Sequence, residues 1–562
     1  MKTVSGEPVA STSAAPNRTP PSLWPRPAIA IAAVALAVIA PFFWWGNPSG
    51  HDFEFHLNSW MEVAQQWSHG IAFPRWAGLA DYGFGEPRFI FYPPLSWMLG
   101  AALGKILPWK AVPGAYLWLA LTLAGASMFF LARRWLCRND ALFAALLYAA
   151  NPYHLVIVYW RSAFAELLAA AVLPLLLLFL LQLEDDPGPT RGKAVAGLAL
   201  VVAGAWLSDA PAGVIVNYSL VLLLTAVALA RRSLRVLIYG AAGLGLGLLL
   251  SAFYLLPGFY EQKWVDIYQA VSEGVRPQDN FLFTQTQDLV HRQFNLVVSL
   301  VAVSQIILLA LAAAWRRRWR QQLPQAWWML ALWGGISALL MFRFSAVAWN
   351  HLPKLAFVQF PWRWLLSLNV ACALLLTVAW RRWMVRAAVV LALLGMVIFA
   401  SRRILPPWWD TAADVAELQD NIATGAGYEG VDEYVPVTAD PEQVDHTARR
   451  VTYEGAGTDQ IHVFEWTADE MTFSVTASVP GKVVLHLFFY PAWQAMVNGR
   501  AAAIQARDGT GQIEIPVSAG ENNVVLRFTR TWDRTLGGWI SLATFMLFAC
   551  WIIYERKRRV SA

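Results

Sequence analysis

Just after the first apolar run stands GHDFEFHLNSWMEVAQQW, in which Asp52 and His56 are four residues apart. On a helix that spacing puts a carboxylate and an imidazole one turn apart on one face. Such a pair can act as base and orienting partner, or as two ligands of a metal. It is also what a polar helix face contains when it simply meets water. Glu54 adds a second acid. Phe53, Leu57, Trp60, Ala64 and Trp67 form an apolar stripe on the same segment, so the spacing predicts an amphipathic helix lying at a membrane interface. Beyond it, Arg75, Asp81, Tyr82, Glu86 and Arg88 crowd a loop with glycines at 78, 83 and 85, and its aromatic residues offer flat faces on which sugar rings can stack.

Further chemistry-bearing residues lie at helix ends. YWRSAFAELLAA sets Arg161 and Glu166 at the edge of an apolar run. Ionisable groups at membrane depth cost roughly 2.5–3.5 kcal/mol on insertion scales, so these mark either a site or a mutual ion pair. Asp209, at the tip of AWLSDAPAG, fits a helix N-cap, with a cavity-facing carboxylate as the alternative. In AFVQFPWRWLL, Gln359 and Arg363 precede a span; the arginine there suits paired hydrogen bonds to a lipid phosphate, or snorkelling to the interface. Glu261 and Lys263 flank another span exit, and His154 reads as a packed core residue.

The elements that must position these groups are membrane helices. Of 562 residues, 57% are hydrophobic and only 14% charged, against about 25% charged in soluble chains. That balance excludes a disordered chain, a coiled coil, a disulfide scaffold and a cytosolic enzyme. The three cysteines show no CxxC spacing. The net charge of +6 comes from short basic clusters between apolar runs, a topology signal rather than a nucleic-acid surface.

Twelve apolar runs are expected to span, at 28–45, 112–132, 141–158, 163–183, 194–208, 211–230, 236–256, 294–314, 325–342, 364–380, 387–400 and 536–554. The stretch 92–107 is read as a surface helix, because only then do ARRWLCR, RRSLR, WRRRWR, RRWMVR and ERKRR all face the cytoplasm. Both termini are then cytoplasmic. The expected organisation is a disordered cytoplasmic tail (1–27), a membrane domain (28–400) with its outer loop at 46–111, an extracytoplasmic domain (401–535), and a last span with a basic tail (536–562). Alternating stretches such as MTFSVTAS and KVVLHLFFY, with the Asn498-Gly499 turn, make the late domain an antiparallel β-sandwich of about eight strands.

No Walker A pattern, GxSxG, HExxH or Rossmann fingerprint occurs. The run from the first span through YPPL resembles the polytopic GT-C glycosyltransferases, in which an acidic residue opens the first outer loop and two helices follow along the membrane. Asp52 stands at that position, and 92–107 matches the second helix. RSAFAE, QFPWRWL and the late FFYPAWQAMVNGRAAAI and VSAGENNVVLRF resemble bacterial YfhO-like membrane proteins, some labelled 6-pyruvoyl-tetrahydropterin synthase-related. That label implies no zinc chemistry here, since no three-histidine cluster occurs in any one domain.

The resemblance implies an inverting transferase at the outer face of a bacterial inner membrane, with a polyprenyl-phosphate sugar donor and a glycan or lipid acceptor. Asp52 or Glu54 would be the base, beside His56. Arg75, Asp81, Tyr82, Arg88, Arg161, Glu166, Asp209, Gln359 and Arg363 would bind substrate. Many such transferases have adjacent Asp-Glu, whereas His51-Asp52-Phe53-Glu54 stands here. Which acid is the base, and whether a divalent cation such as Mg or Mn joins them, is therefore open. The other function class consistent with the sequence is a non-catalytic partner or carrier in lipid-linked polysaccharide assembly or export.

Overall fold

The computed structural model describes residues 25–185, 191–403 and 408–560. The expected disordered tail lies almost wholly outside them. Among the described residues, ten helices are long and apolar enough to cross a membrane, and two bent helix pairs raise the number to twelve. The two runs that seemed short recruit flanking residues, giving Arg138–Arg161 and Arg191–Ser208. Residues 92–107 yield only the eleven-residue helix Pro94–Gly104, which is not among the spans.

The run expected at 236–256 is broken into Arg235–Leu250 and Ala252–Trp264, bent by 73°. Ser541 of the last span fills the break: its hydroxyl accepts from Phe253 N at 2.9 Å and donates to Leu249 O at 3.0 Å. Gly537 permits this approach, since a Cβ there would lie 2.5 Å from Ala252 O.

Basic residues gather at one end of the bundle, where Arg231 pairs with Glu184, Arg386 with Asp140, and Arg318 with the carbonyl of Ala379. Asp52, Arg161, Glu166, Asp209 and Arg363 are at the other end, as is the β domain.

The expected domain at 401–535 is not all sandwich. The preceding helix runs on to Arg403, a helix (Ala412–Thr424) and loops follow, and the stacked strands begin only at Val451. Nine strands then form two antiparallel sheets. In chain positions, one orders Val451–Glu454, Gly481–Phe488, Gln512–Val517 and Gln505–Ala506. The other orders Asp459–Trp466, Glu470–Ala477, Gly520–Phe528, Trp493–Val497 and Arg500–Ala502. Alternation does what it should: Ile513, Ile515 and Val517 are buried on one face. Asn498 and Gly499 both have positive φ, as the tight hairpin turn requires.

The sandwich core continues into the first loop. Trp76, Phe84, Ile90 and Phe91 belong to the same cluster as Phe473, Leu485 and Leu526. Phe84 stacks on His486 at 3.7 Å and on Phe488 at 5.0 Å. This corrects the expectation that the polar face of helix Phe53–Ser68 simply meets water. Its apolar stripe is buried apart from the half-buried Trp67, and much of its polar face is covered as well, though Glu54 stays exposed. Gln65 bonds Ile422 O from the helix Ala412–Thr424, and Tyr428 donates to Glu62 at 2.5 Å.

Candidate functional site

Asp52 is placed by backbone, not by its helix alone. Span Arg138–Arg161 ends in a π-helical turn, Ile157–Arg161, and Ser162 turns the chain with φ +51°. Such turns are frequent at functional sites. Asp52 N donates to Arg161 O at 2.9 Å, and Gly50 N donates to Ser162 Oγ at 3.1 Å. A Cβ on Gly50 would sit 2.5 Å from Trp160 O, so only glycine lets the two segments meet.

The charges then form a chain. Arg161 Nη2 reaches Asp52 Oδ2 at 3.2 Å, while its Nη1 pairs with Glu166. Glu166 also accepts from Tyr153 and, at 3.1 Å, from Arg363 Nε. Arg363 Nη1 donates to Gln359 Oε1 and Val358 O, both at 2.9 Å. Gln359 has φ +63° and ψ −62°, with Phe360 N bonded to Val358 O at 2.7 Å, a rare and strained γ-turn. Its side chain bonds Ala270 O at 2.8 Å, holding the turn in place. Phe360 and Trp362, stacked at 4.7 Å, cover the two guanidiniums.

Exposure separates these groups. The side chain of Glu166 is 1% exposed and that of Arg161 3%, whereas that of Asp52 is 36% exposed. Asp52 is thus the carboxylate through which a sealed ion network meets the outside. Arg363 Nη2 carries no hydrogen bond among the described residues. Asp209 caps helix Ala210–Arg231 through Ala212 N at 2.8 Å, and its charge is also felt at Arg363, Glu166 and Arg161. Asp209 is thus the N-cap of this helix, and it is buried.

The other candidates fall elsewhere. His56 is buried among Phe55, Trp60, Tyr92 and Phe164, and burial pushes its pKa down to about 4, so it is neutral at pH 7. Its Nε2 lies 3.5 Å from the Tyr92 hydroxyl. Glu54 is exposed and makes no hydrogen bond or ion pair among the described residues. Arg88 pairs with Glu86 at 2.5 Å, donates to Ser59 and lies between Phe55 and Tyr428; its Nη2 is buried and unbonded. Asp81 is pushed up to about 8 by burial and by Glu86. Tyr82 is exposed beside His446, and Arg75 lies in a separate cavity.

Among the described residues no three His, Cys, Asp or Glu side chains converge as metal ligands. With Arg161 on Asp52 and two guanidiniums on Glu166, the residues present do not fit a resident divalent ion. Sequence reasoning missed Tyr153, thirteen residues from its partner Glu166, and it missed Glu62 and Tyr428, which meet across 366 residues and leave no local signal.

A family model described as 6-pyruvoyl-tetrahydropterin synthase related domain, membrane protein, matches residues 89–406, more than half of the chain. The chain belongs to this family of membrane proteins. That match takes in Arg161, Glu166, Asp209, Gln359 and Arg363, and leaves out Asp52 and the β-sandwich. No curated protein matches. Among solved structures, ArnT from Cupriavidus metallidurans bound to undecaprenyl phosphate is similar over 71% of this chain and 76% of its own, at 15% identity and TM-score 0.41. The Archaeoglobus fulgidus oligosaccharyltransferase in the apo form is similar over 73% of this chain and 56% of its own, at 15% identity and TM-score 0.39. Its complex with Zn and sulfate gives 72%, 54%, 16% and 0.31 in the same order. These likenesses assign no residue a role.

Proposed function

We propose that the chain is a membrane glycosyltransferase of the GT-C type. It would move a sugar from a polyprenyl-phosphate donor to an envelope glycan or lipid acceptor at the extracytoplasmic face, with inversion. The observation that carries this reading is Asp52, a half-open carboxylate pinned to a buried Arg161–Glu166–Arg363 network. Asp52 takes the proton of an acceptor hydroxyl as that oxygen attacks the anomeric carbon. The bond from that carbon to the phosphate oxygen breaks, and its electron pair leaves with the polyprenyl phosphate. Arg363 Nη2, which carries no hydrogen bond among the described residues, would hold a leaving oxygen. Glu166 keeps both guanidiniums oriented, and Asp209 adds to the field around Arg363.

Release of labelled sugar from a panel of polyprenyl-phosphate sugars by the purified protein tests this. Turnover by wild type and its loss in Asp52→Asn support the reading; a folded wild type that turns over no donor defeats it. One observation favours a non-catalytic carrier instead: Glu166 already pairs with both arginines and Asp52 balances the remaining charge, as a purely structural ion network would. A carrier predicts that Asp52→Asn leaves cellular glycan unchanged, while removal of the β domain abolishes it.

A further inference from the structure

A second cationic site lies at the far end of helix Phe53–Ser68. Gln66 lines a cavity of about 360 Å³ there, and it stands fourteen residues beyond Asp52, about 21 Å along a helix axis. Arg75, Arg530 and Arg534 face this cavity, and Phe73 and Phe253 form part of its apolar wall. Arg534 is already satisfied, with Nε and Nη2 each 2.7 Å from Glu261, which also accepts from Tyr490 at 2.6 Å; Asp533 lies beside that carboxylate. Arg75 makes no hydrogen bond or ion pair among the described residues; its one recorded contact is over the Phe73 ring at 4.5 Å. Arg530 donates only to the carbonyl of Arg534, at 3.3 Å, across Gly538, where a Cβ would lie 2.7 Å from its guanidinium. The acid on the rim, Asp469, is exposed and accepts from Thr467 at 3.1 Å.

Arg75, largely withdrawn from solvent, and the exposed Arg530 thus line one partly enclosed cavity without an ion pair among the described residues, and an anion bound there would meet two unpaired guanidiniums. Burial, and after it the Arg534 guanidinium, pushes Arg75 down to about 9, with Glu261 and Asp533 opposing and Arg530 adding a smaller push. The cavity is lined by Gly538 of the last span and by Phe253 of the bent helix. Charge at the head and aromatic rings along the side are the recognition chemistry of a phosphate carried on an apolar chain.

We propose that this cavity, through Arg75 and Arg530, binds the phosphate of an amphiphile at a site separate from Asp52. The inference does not rest on the transferase reading. Its probe is a dodecyl phosphate carrying a diazirine beside the headgroup, photolysed with the purified full chain in neutral detergent and mapped by peptide mass spectrometry. Labelling of the 66–76 and 528–538 segments is expected, with about tenfold less in Arg75→Gln. Because Arg530 is exposed, Arg530→Gln leaves folding intact and must also reduce the label. Labelling confined to other segments, or unchanged in Arg530→Gln, overturns the proposal. Competition by millimolar inorganic phosphate assigns the site to the free oxyanion, and resistance to it assigns a lipid headgroup. Asp52→Asn keeps this label while it loses sugar transfer, so the two readings fail separately.

Discussion

Two carboxylates share Arg161, and substituting each should have opposite consequences. Asp52 is one-third exposed and joined to Arg161 by a single contact of 3.2 Å. An ion pair so placed is worth about 0–1 kcal/mol, so Asp52→Asn should leave stability within that margin. Its loss as a general base should instead lower transfer by about 10²–10⁴-fold, or about 2.7–5.5 kcal/mol in the barrier. Glu166 is the reverse. It is buried against two guanidiniums and a tyrosine, and Glu166→Gln leaves both arginines without that charge. Breaking a buried pair from one side costs about 3–5 kcal/mol. Stability can be read from the rate at which the buried Cys372 reacts with a thiol reagent across a denaturant series, with the exposed Cys137 and Cys550 changed to serine. Transfer is read from release of labelled sugar. Equal destabilisation by the two substitutions, or full transfer by Asp52→Asn, would refute the division of labour drawn from their exposure.

Gly50→Ala should lower transfer sharply, because its Cβ meets the Trp160 carbonyl at 2.5 Å and must push Asp52 off the Arg161 hairpin; initial rates and a preserved melting temperature check this. Asp81 holds its proton to about pH 8 in the fold, against about 3.8–3.9 when unfolded, so it takes stability away as pH rises through that window. Asp81→Asn should therefore stabilise the protein at pH 9 and have little effect at pH 4, with asparagine well suited to the left-handed φ of +50°; melting temperatures at the two pH values decide it. His56 acts the other way: its depressed pKa makes wild type lose stability as pH falls from about 6.5 to about 4, and His56→Phe should flatten that part of the melting-temperature profile. Tyr428→Phe removes the hydroxyl that bonds Glu62 at 2.5 Å and should cost about 1–3 kcal/mol, measured by denaturant unfolding.

Composition and run length were enough to establish a membrane protein and to place its spans, because a bilayer demands about twenty apolar residues wherever a helix crosses. Alternation and the Asn498-Gly499 turn likewise marked the sandwich strands, since both are local properties of the chain. Asp52, Arg161, Glu166 and Arg363 stood out one by one, as charges beside apolar runs. Their union in a single network was not legible: Arg363 meets Glu166 across 197 residues of chain, through a strained turn at Gln359 that no spacing announces. The same limit explains helix Phe53–Ser68. Its polar face looked destined for water because its cover, Tyr428 and the loop beneath the sandwich, arrives from more than 350 residues downstream. Sequence pattern records which face of an element is apolar; only tertiary packing decides whether the polar face meets solvent, a partner or a charge.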